Sequence, residues 1–254
     1  MIPIGDDNSD RHLTPIVNYS LILINILVFI IYQGWGNNVP FTFAYATVPA
    51  EILSGHDIIT QPQILHDQLT GQRIEMPGLQ ATPVPVYFTL LTSMFMHGGL
   101  AHLAGNMLYL WVFGDNLENV MGHTKYLAFY LLCGLLASLA HVFGTAYSGQ
   151  DPLIPSLGAS GAISGVLGGY VLLFPRRRIR MWLFFIFTVS VPAVLALGLW
   201  ILFQLINGMG MLGGEEAGGV AYTAHIGGFF AGFLLVKLFV NRIQPLPPES
   251  KSFY

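Results

Sequence analysis

Six stretches of this 254-residue chain are long and apolar enough to lie across a bilayer, and nothing else in the sequence limits the fold as strongly. Crossing the hydrocarbon core as a helix takes about 20 residues, with a range of about 17–25. The stretches fall near 15–34, 100–120, 126–147, 157–174, 181–206 and 220–240. Composition agrees: 54% of residues are hydrophobic and 9% are charged, against about 25% charged in soluble domains. A soluble fold of this length would expose more apolar surface than so few charges could solvate. The expected fold is therefore an all-α membrane protein, a bundle of six transmembrane helices forming one domain over 1–254. A long first extramembrane loop covers roughly 35–90. That loop holds Pro40, Pro49, Pro62, Pro77, Pro83 and Pro85, and apolar patches such as Ile52-Leu53 and Ile58-Ile59. It reads as short helices lying on the outer membrane surface rather than as a disordered linker, because aromatic and aliphatic residues recur through it.

Charge placement orients the bundle. If the N-terminus is cytoplasmic, Arg11, Lys125, Arg176, Arg177, Arg178, Arg180, Lys237, Arg242 and Lys251 fall inside or at the inner boundary, and Arg73 falls outside. Inner loops collect lysine and arginine, so both termini are expected in the cytoplasm. The N-terminus carries Asp6, Asp7, Asp10 and Arg11 and stays polar up to about Leu13, which does not read as a cleavable signal peptide. The net charge of −3 comes without a basic stripe, so no nucleic-acid partner is expected. Cys133, the single cysteine, sits mid-helix and reads as a small buried apolar residue.

Two polar signals interrupt the hydrophobic helices. Gly158-Ala159-Ser160-Gly161 opens the fourth, and Ala224-His225 opens the sixth. In the expected topology both helices begin at the outer face. Ser160 lies about three residues in and His225 about five, so at 1.5 Å per residue both sit at similar shallow depth. The fourth helix has two small rows, Ser160/Ser164/Gly168 and Gly161/Gly165/Gly169; the sixth has Ala221, His225, Gly228 and Gly232 on one face. Small faces let membrane helices pack backbone to backbone. Ionisable groups in membrane helices are costly and functional by default. A hydroxyl beside an imidazole is a nucleophile beside its base. His102 and Asn106 are i, i+4 on the second helix, again near its outer end, where their N–H groups and that of Ser160 can hold an oxyanion. His97 and His102 lack a metalloprotease spacing, and neither a metal nor another cofactor is expected.

In these residues the chain resembles the rhomboid intramembrane serine proteases, from about 15 to 240. The matching pieces are His97, His102 and Asn106, then Gly158-x-Ser160-Gly161, then Ala224-His225-x-x-Gly228-x-x-x-Gly232; Gly114 and Glu118 fit the family's Gly-x-x-x-Glu. The resemblance implies a serine endopeptidase with a Ser160–His225 dyad and no third acid. Asn106, His102 and the Ser160 N–H would form the oxyanion site, with His97, Gly158, Gly161, Gly228 and Gly232 in support. Partners would be single-span transmembrane proteins in the lipid bilayer, cut near their outer ends through an acyl-enzyme. The fifth helix and the loop 207–219 would act as lateral gate and cap. The expected location is a prokaryotic plasma (inner) membrane. The family alternative is an inactive relative that binds membrane clients; a transporter would need a polar site at the midplane. Two departures stand out. The arginine the family often carries before its Thr-x-x-Phe stretch is absent, since Phe88-Thr89 precede Leu90-Leu91-Thr92-Ser93-Met94-Phe95. The aromatic four residues after the nucleophile is replaced by Ser164. His225 must then be held by another ring or a hydrogen bond, with Ser164 a candidate.

Overall fold

Residues 2–66, 73–183, 187–212 and 221–240 are described in a computed structural model of the chain. In chain order the elements are β1 (Ile2–Asp6), α1 (Ile16–Leu27) with a π-helical turn over Val28–Tyr32, α2 (Val39–Ala44), α3 (Pro49–Ser54), β2 (Gln63–His66) and β3 (Arg73–Met76). There follow α4 (Thr89–Thr92) between two 3₁₀ turns, α5 (Leu100–Met121), α6 (His123–Ser148), α7 (Ser160–Leu173), β4 (Arg178–Leu183), β5 (Phe187–Pro192), α8 (Ala193–Leu212) and α9 (Tyr222–Phe239). The fold is the mostly helical membrane bundle expected. Among the described residues, α6, α9 and the stretch Ala193–Gly210 of α8 are long and apolar enough to cross a membrane; Ile16–Tyr32 and Ser160–Leu173 are apolar but shorter.

The expected helix over 181–206 is corrected at its start. Arg178–Leu183 and Phe187–Pro192 are antiparallel strands, and the helix begins at Ala193. Ile179 and Met181 are buried while Arg178, Arg180 and Trp182 alternate outward, the two-residue period of a strand. β1 pairs antiparallel with the other edge of β4, giving the order β1-β4-β5. The fourth helix also starts later than expected, so that Ser160 is its first residue.

α7 runs through the middle of the bundle, buried on every side from Gly161 to Tyr170. It can do so because its neighbours touch its backbone. A Cβ on Gly168 would sit 2.0 Å from the Phe229 carbonyl oxygen, and one on Gly232 would sit 1.9 Å from that of Gly165. A Cβ on Gly228 would meet the Gly161 carbonyl at 2.1 Å, and one on Gly165 would meet the Cys133 Cβ at 2.4 Å. Cys133 is fully buried at that contact.

Polar residues fix the helix ends. The Glu118 carboxylate, from the last turn of α5, accepts from the backbone N–H groups of Val17 (2.9 Å) and Asn18 (2.7 Å). These are N–H groups of the first turn of α1, which have no partner inside their own helix. The Asn18 side chain donates to Leu110 O and accepts from the Tyr126 hydroxyl. A Cβ on Gly114 would lie 2.0 Å from Asn18 Oδ1, so the Gly114/Glu118 pair makes room for α1 and then caps it.

The segment 35–90 holds the short helices α2 and α3 and the β2–β3 hairpin. With the family's arginine missing, it and its flanks are tied in by other groups. Gln33 donates to His97 O and accepts from His97 N–H, each at 2.9 Å. Thr92 Oγ1 donates to Tyr45 O, Thr47 pairs with Ser156 through both backbone groups, and Gly158 N–H donates to Ser93 O. These bonds set the loops before α5 and α7, which lead into the site.

Candidate active site

Ser160 is held at the tip of α7 by an unusual approach. Gly158 adopts φ +123°, a conformation rare for residues with a Cβ, and a Cβ there would press 2.8 Å from the His102 ring. Ala159, the residue before the helix, supplies no side-chain cap. The first N–H groups of a helix have no intrahelical acceptor, so those of α7 remain available at its tip.

Small residues on α7 and α9 then bring the two polar side chains together. Ser160 Oγ lies 2.8 Å from His225 Nε2. The opposite ring nitrogen, Nδ1, lies 2.8 Å from Gln204 Oε1 on α8. The Trp200 ring, one turn earlier on α8, sits 6.0 Å from the imidazole, tilted by 35°. Ser164 is not a hydrogen-bond partner of the histidine. It is buried and donates to the Ser160 carbonyl at 2.6 Å, back-bonding along its own helix.

A cavity of about 1410 Å³ opens in front of this pair. Its walls include Ser160, His225, His102, Asn106, His141 and Trp200. The Asn106 side chain is buried, and its Nδ2 has no hydrogen-bond partner. The Gly98 N–H reaches His102 Nδ1 at 3.4 Å. Because a backbone N–H can only donate, Nδ1 accepts there and the proton lies on Nε2. His97 packs edge-on against His102, 5.2 Å between ring centres. It is fully buried, and burial, with the neighbouring His102, pushes its pKa down to about 3 against the opposing effect of the Phe95 backbone. His97 is thus a neutral ring packed against His102, in the loop before α5.

The Rhomboid domain family matches residues 85–242, more than half of the chain and the whole of this site. The chain belongs to the rhomboid family. Similar proteins include rhomboid protein 1, mitochondrial, of Saccharomyces cerevisiae, 34% identical over 61% of this chain and 43% of that protein. The presenilin-associated rhomboid-like protein, mitochondrial, of Homo sapiens is 34% identical over 42% of this chain and 30% of its own length. Rhomboid protease GluP of Bacillus subtilis is 37% identical over 57% and 25%. The match thus spans less than half the length of each of these relatives. They include mitochondrial and bacterial proteins, so a prokaryotic inner membrane is not borne out as the location.

In this rhomboid four of the residues read from the sequence, Ser160, His225, His102 and Asn106, line one cavity, while His97 and Gly158 sit behind it against the His102 ring. Gly161, Gly228 and Gly232 lie deeper, along the α7–α9 seam. Sequence reasoning missed Gln204 and Trp200. The one signal was a lone amide among aliphatic residues in the fifth helix, with nothing to say which way it faced. The cap expected over 207–219 begins as helix, since α8 continues to Leu212, and residues 213–219 lie outside the described residues, as do Arg242 and Lys251.

Proposed function

We propose that this rhomboid is an intramembrane serine endopeptidase that cuts transmembrane helices near their outer ends through a Ser160–His225 dyad. The observation that carries the reading is the 2.8 Å contact between Ser160 Oγ and His225 Nε2 at the wall of a large cavity. One relative is named a protease, the Bacillus subtilis protein; carrying that activity to this chain is part of the proposal. So is the topology: α1 and α5 to α9 as six spans, with both termini on the side of the arginine cluster.

The chemistry follows from the atoms present. Ser160 Oγ attacks the scissile carbonyl carbon as His225 Nε2 takes the hydroxyl proton. The carbonyl oxygen becomes an oxyanion. Asn106 Nδ2, His102 Nε2–H and the Ser160 N–H are the donors for it, and the positive end of α7 adds to their field. The C–N bond then breaks, and the amine leaves with the proton from His225. An ester remains on Ser160. Water from the cavity attacks it, gives a proton to His225, and releases the acid as Ser160 recovers its hydrogen.

Ser160→Ala should lower cleavage of a reconstituted single-span substrate by about 10⁴-fold or more, with an unchanged thermal melt in detergent. A fluorophosphonate should label the native chain at Ser160 and leave the variant unlabelled. Turnover at the native rate by the folded variant would overturn the assignment.

A further inference from the structure

Among the described residues, no carboxylate is bonded to the histidine of the proposed dyad. It has an amide, and that amide comes from the helix with the most exposed apolar face. Gln204 is 5% exposed, although it sits on α8, where Leu199, Leu202, Phe203 and Ile206 are all at least half exposed. A buried amide without a partner is expensive in so apolar a setting. Gln204 escapes that cost through its Oε1, which meets His225 Nδ1 at 2.8 Å. Among the described residues, no other side-chain hydrogen bond joins α8 to another helix.

The consequence lies in the tautomer. An amide oxygen can only accept. With Oε1 facing the ring, Nδ1 must carry the proton, so Nε2 presents its lone pair to Ser160. That is the form a general base needs; the other tautomer would point N–H at the nucleophile and have no pair to take its proton. Gln204 also pins the ring plane, with Trp200 flanking the same imidazole at 6.0 Å. We infer that Gln204 is the positioning residue of this active site, completing a Ser160–His225–Gln204 relay in which α8 supplies the third member. The inference rests on the dyad reading above. It adds that the base is correctly set only while α8 is docked on α9. A displacement of α8 by an ångström or so takes a 2.8 Å bond out of range, so the wall of the cavity and the state of the base are one variable.

The test compares Gln204→Met and Gln204→Leu, which keep an apolar body and lose the acceptor, with Gln204→Glu, which keeps an acceptor. The full chain is reconstituted with a single-span substrate, with Ser160→Ala alongside. Loss of the hydrogen bond that orients a metal-ligating histidine costs about 10–100-fold in activity, and the same scale is expected for a histidine oriented as a base. The expected result is a fall of that size in kcat for Gln204→Met and Gln204→Leu, with KM within about two-fold of native. Fluorophosphonate labelling of Ser160 should slow by the same factor. Gln204→Glu should return kcat to within a few fold of native. A folded acceptor-free variant with native kcat overturns the inference, and so does a folded Gln204→Glu as slow as Gln204→Met, which would make the role packing. If Ser160→Ala itself keeps native turnover, the dyad reading has failed and the inference falls with it; if Ser160→Ala is dead while Gln204→Met is native, only the inference has failed.

Discussion

Asn106 shows how much a single side chain can reveal about the state for which a site is built. Its Nδ2 is buried with no protein partner, in the wall of the cavity that Ser160 also lines. A buried donor left without an acceptor costs about 1–3 kcal/mol, so the resting protein gains nothing from it. The cost is offset if an acceptor arrives during the reaction, as the oxyanion does. Asn106→Ala should therefore lower kcat by about 10²–10³-fold and leave the thermal melt unchanged or higher, as activity and stability part company at such sites. Kinetics and calorimetry on the same detergent-solubilised preparation check both halves; a variant that is less stable yet equally active would make Asn106 a structural residue. These groups are legible in the sequence through their chemistry and depth. Serine, histidine and asparagine near helix starts are rare enough in apolar surroundings to be noticed, and a rise of 1.5 Å per residue fixes their level. Gln204 and Trp200 stayed hidden because α8 is apolar on nearly all sides. Its hydrophobic pattern does not fix its rotation, and rotation decides whether position 204 faces lipid or His225.

Helix pairing decides whether those residues meet. Gly232 lies two turns beyond His225 along α9, where an added Cβ would stand 1.9 Å from the Gly165 carbonyl oxygen. Backbone cannot swing aside as a side chain can, so α7 and α9 must separate. Gly232→Ala should cost about 1–3 kcal/mol and lengthen the Ser160–His225 contact, reducing cleavage more than Tm alone would suggest. Gly198, on α8, has nothing within 4 Å of its added Cβ; Gly198→Ala should be neutral or stabilising by about 0.5–1 kcal/mol. Equal melting temperatures for the two variants would show that the close approach of α7 and α9 is not needed. The seam was legible as rows of small residues, since spacing by four maps directly onto a helix face. The strand pair Arg178–Leu183 and Phe187–Pro192 was not. Met181-Trp182-Leu183 and Phe187-Thr188-Val189 are as apolar as a helix, and hydropathy does not tell a buried strand from a helix. The alternation of Arg178, Arg180 and Trp182 outward with Ile179 and Met181 inward was the available signal, and it was masked by merging the stretch with α8.

Across the whole molecule the polar groups separate to the two ends of α7. Ser160 is at one end; at the other, Tyr170 donates to Asp6 Oδ2 at 2.5 Å, where Asn116 also donates at 2.8 Å. Around them Arg11 pairs with Asp115 at 2.6 Å and Arg177 pairs with Asp10. Arg11 and Arg177, two of the basic residues placed on one side from the sequence, meet at this corner, but their pairing with Asp115 and Asp10 spans more than 100 residues, which no local pattern encodes. β5 passes without a break into α8, so the sheet that β1 completes is also the footing of the helix that carries Gln204. Asp6 makes this footing pH-dependent. Burial, with the neighbouring Asp115 adding to it and the Tyr170 hydroxyl and Arg177 opposing it, raises its carboxyl from 3.8 to about 7. A carboxyl that holds its proton more tightly when folded favours the folded state at low pH. Its contribution is fully present below pH 3.8, declines as the pH rises toward 7, and is gone above it, because the folded chain binds the extra proton only in that window. Asp6→Asn keeps the shape and cannot ionise, so the variant should gain stability over native as the pH rises from about 4 to about 7 and hold a constant advantage beyond. Asp7, Asp10, Asp115 and Arg177, the charged groups facing this corner, are the same in both proteins, so the difference between the two melting curves isolates Asp6. Melting curves that run parallel from pH 4 to pH 8 would show that Asp6 is ionised throughout and that β1 is held by its backbone pairing to β4 alone.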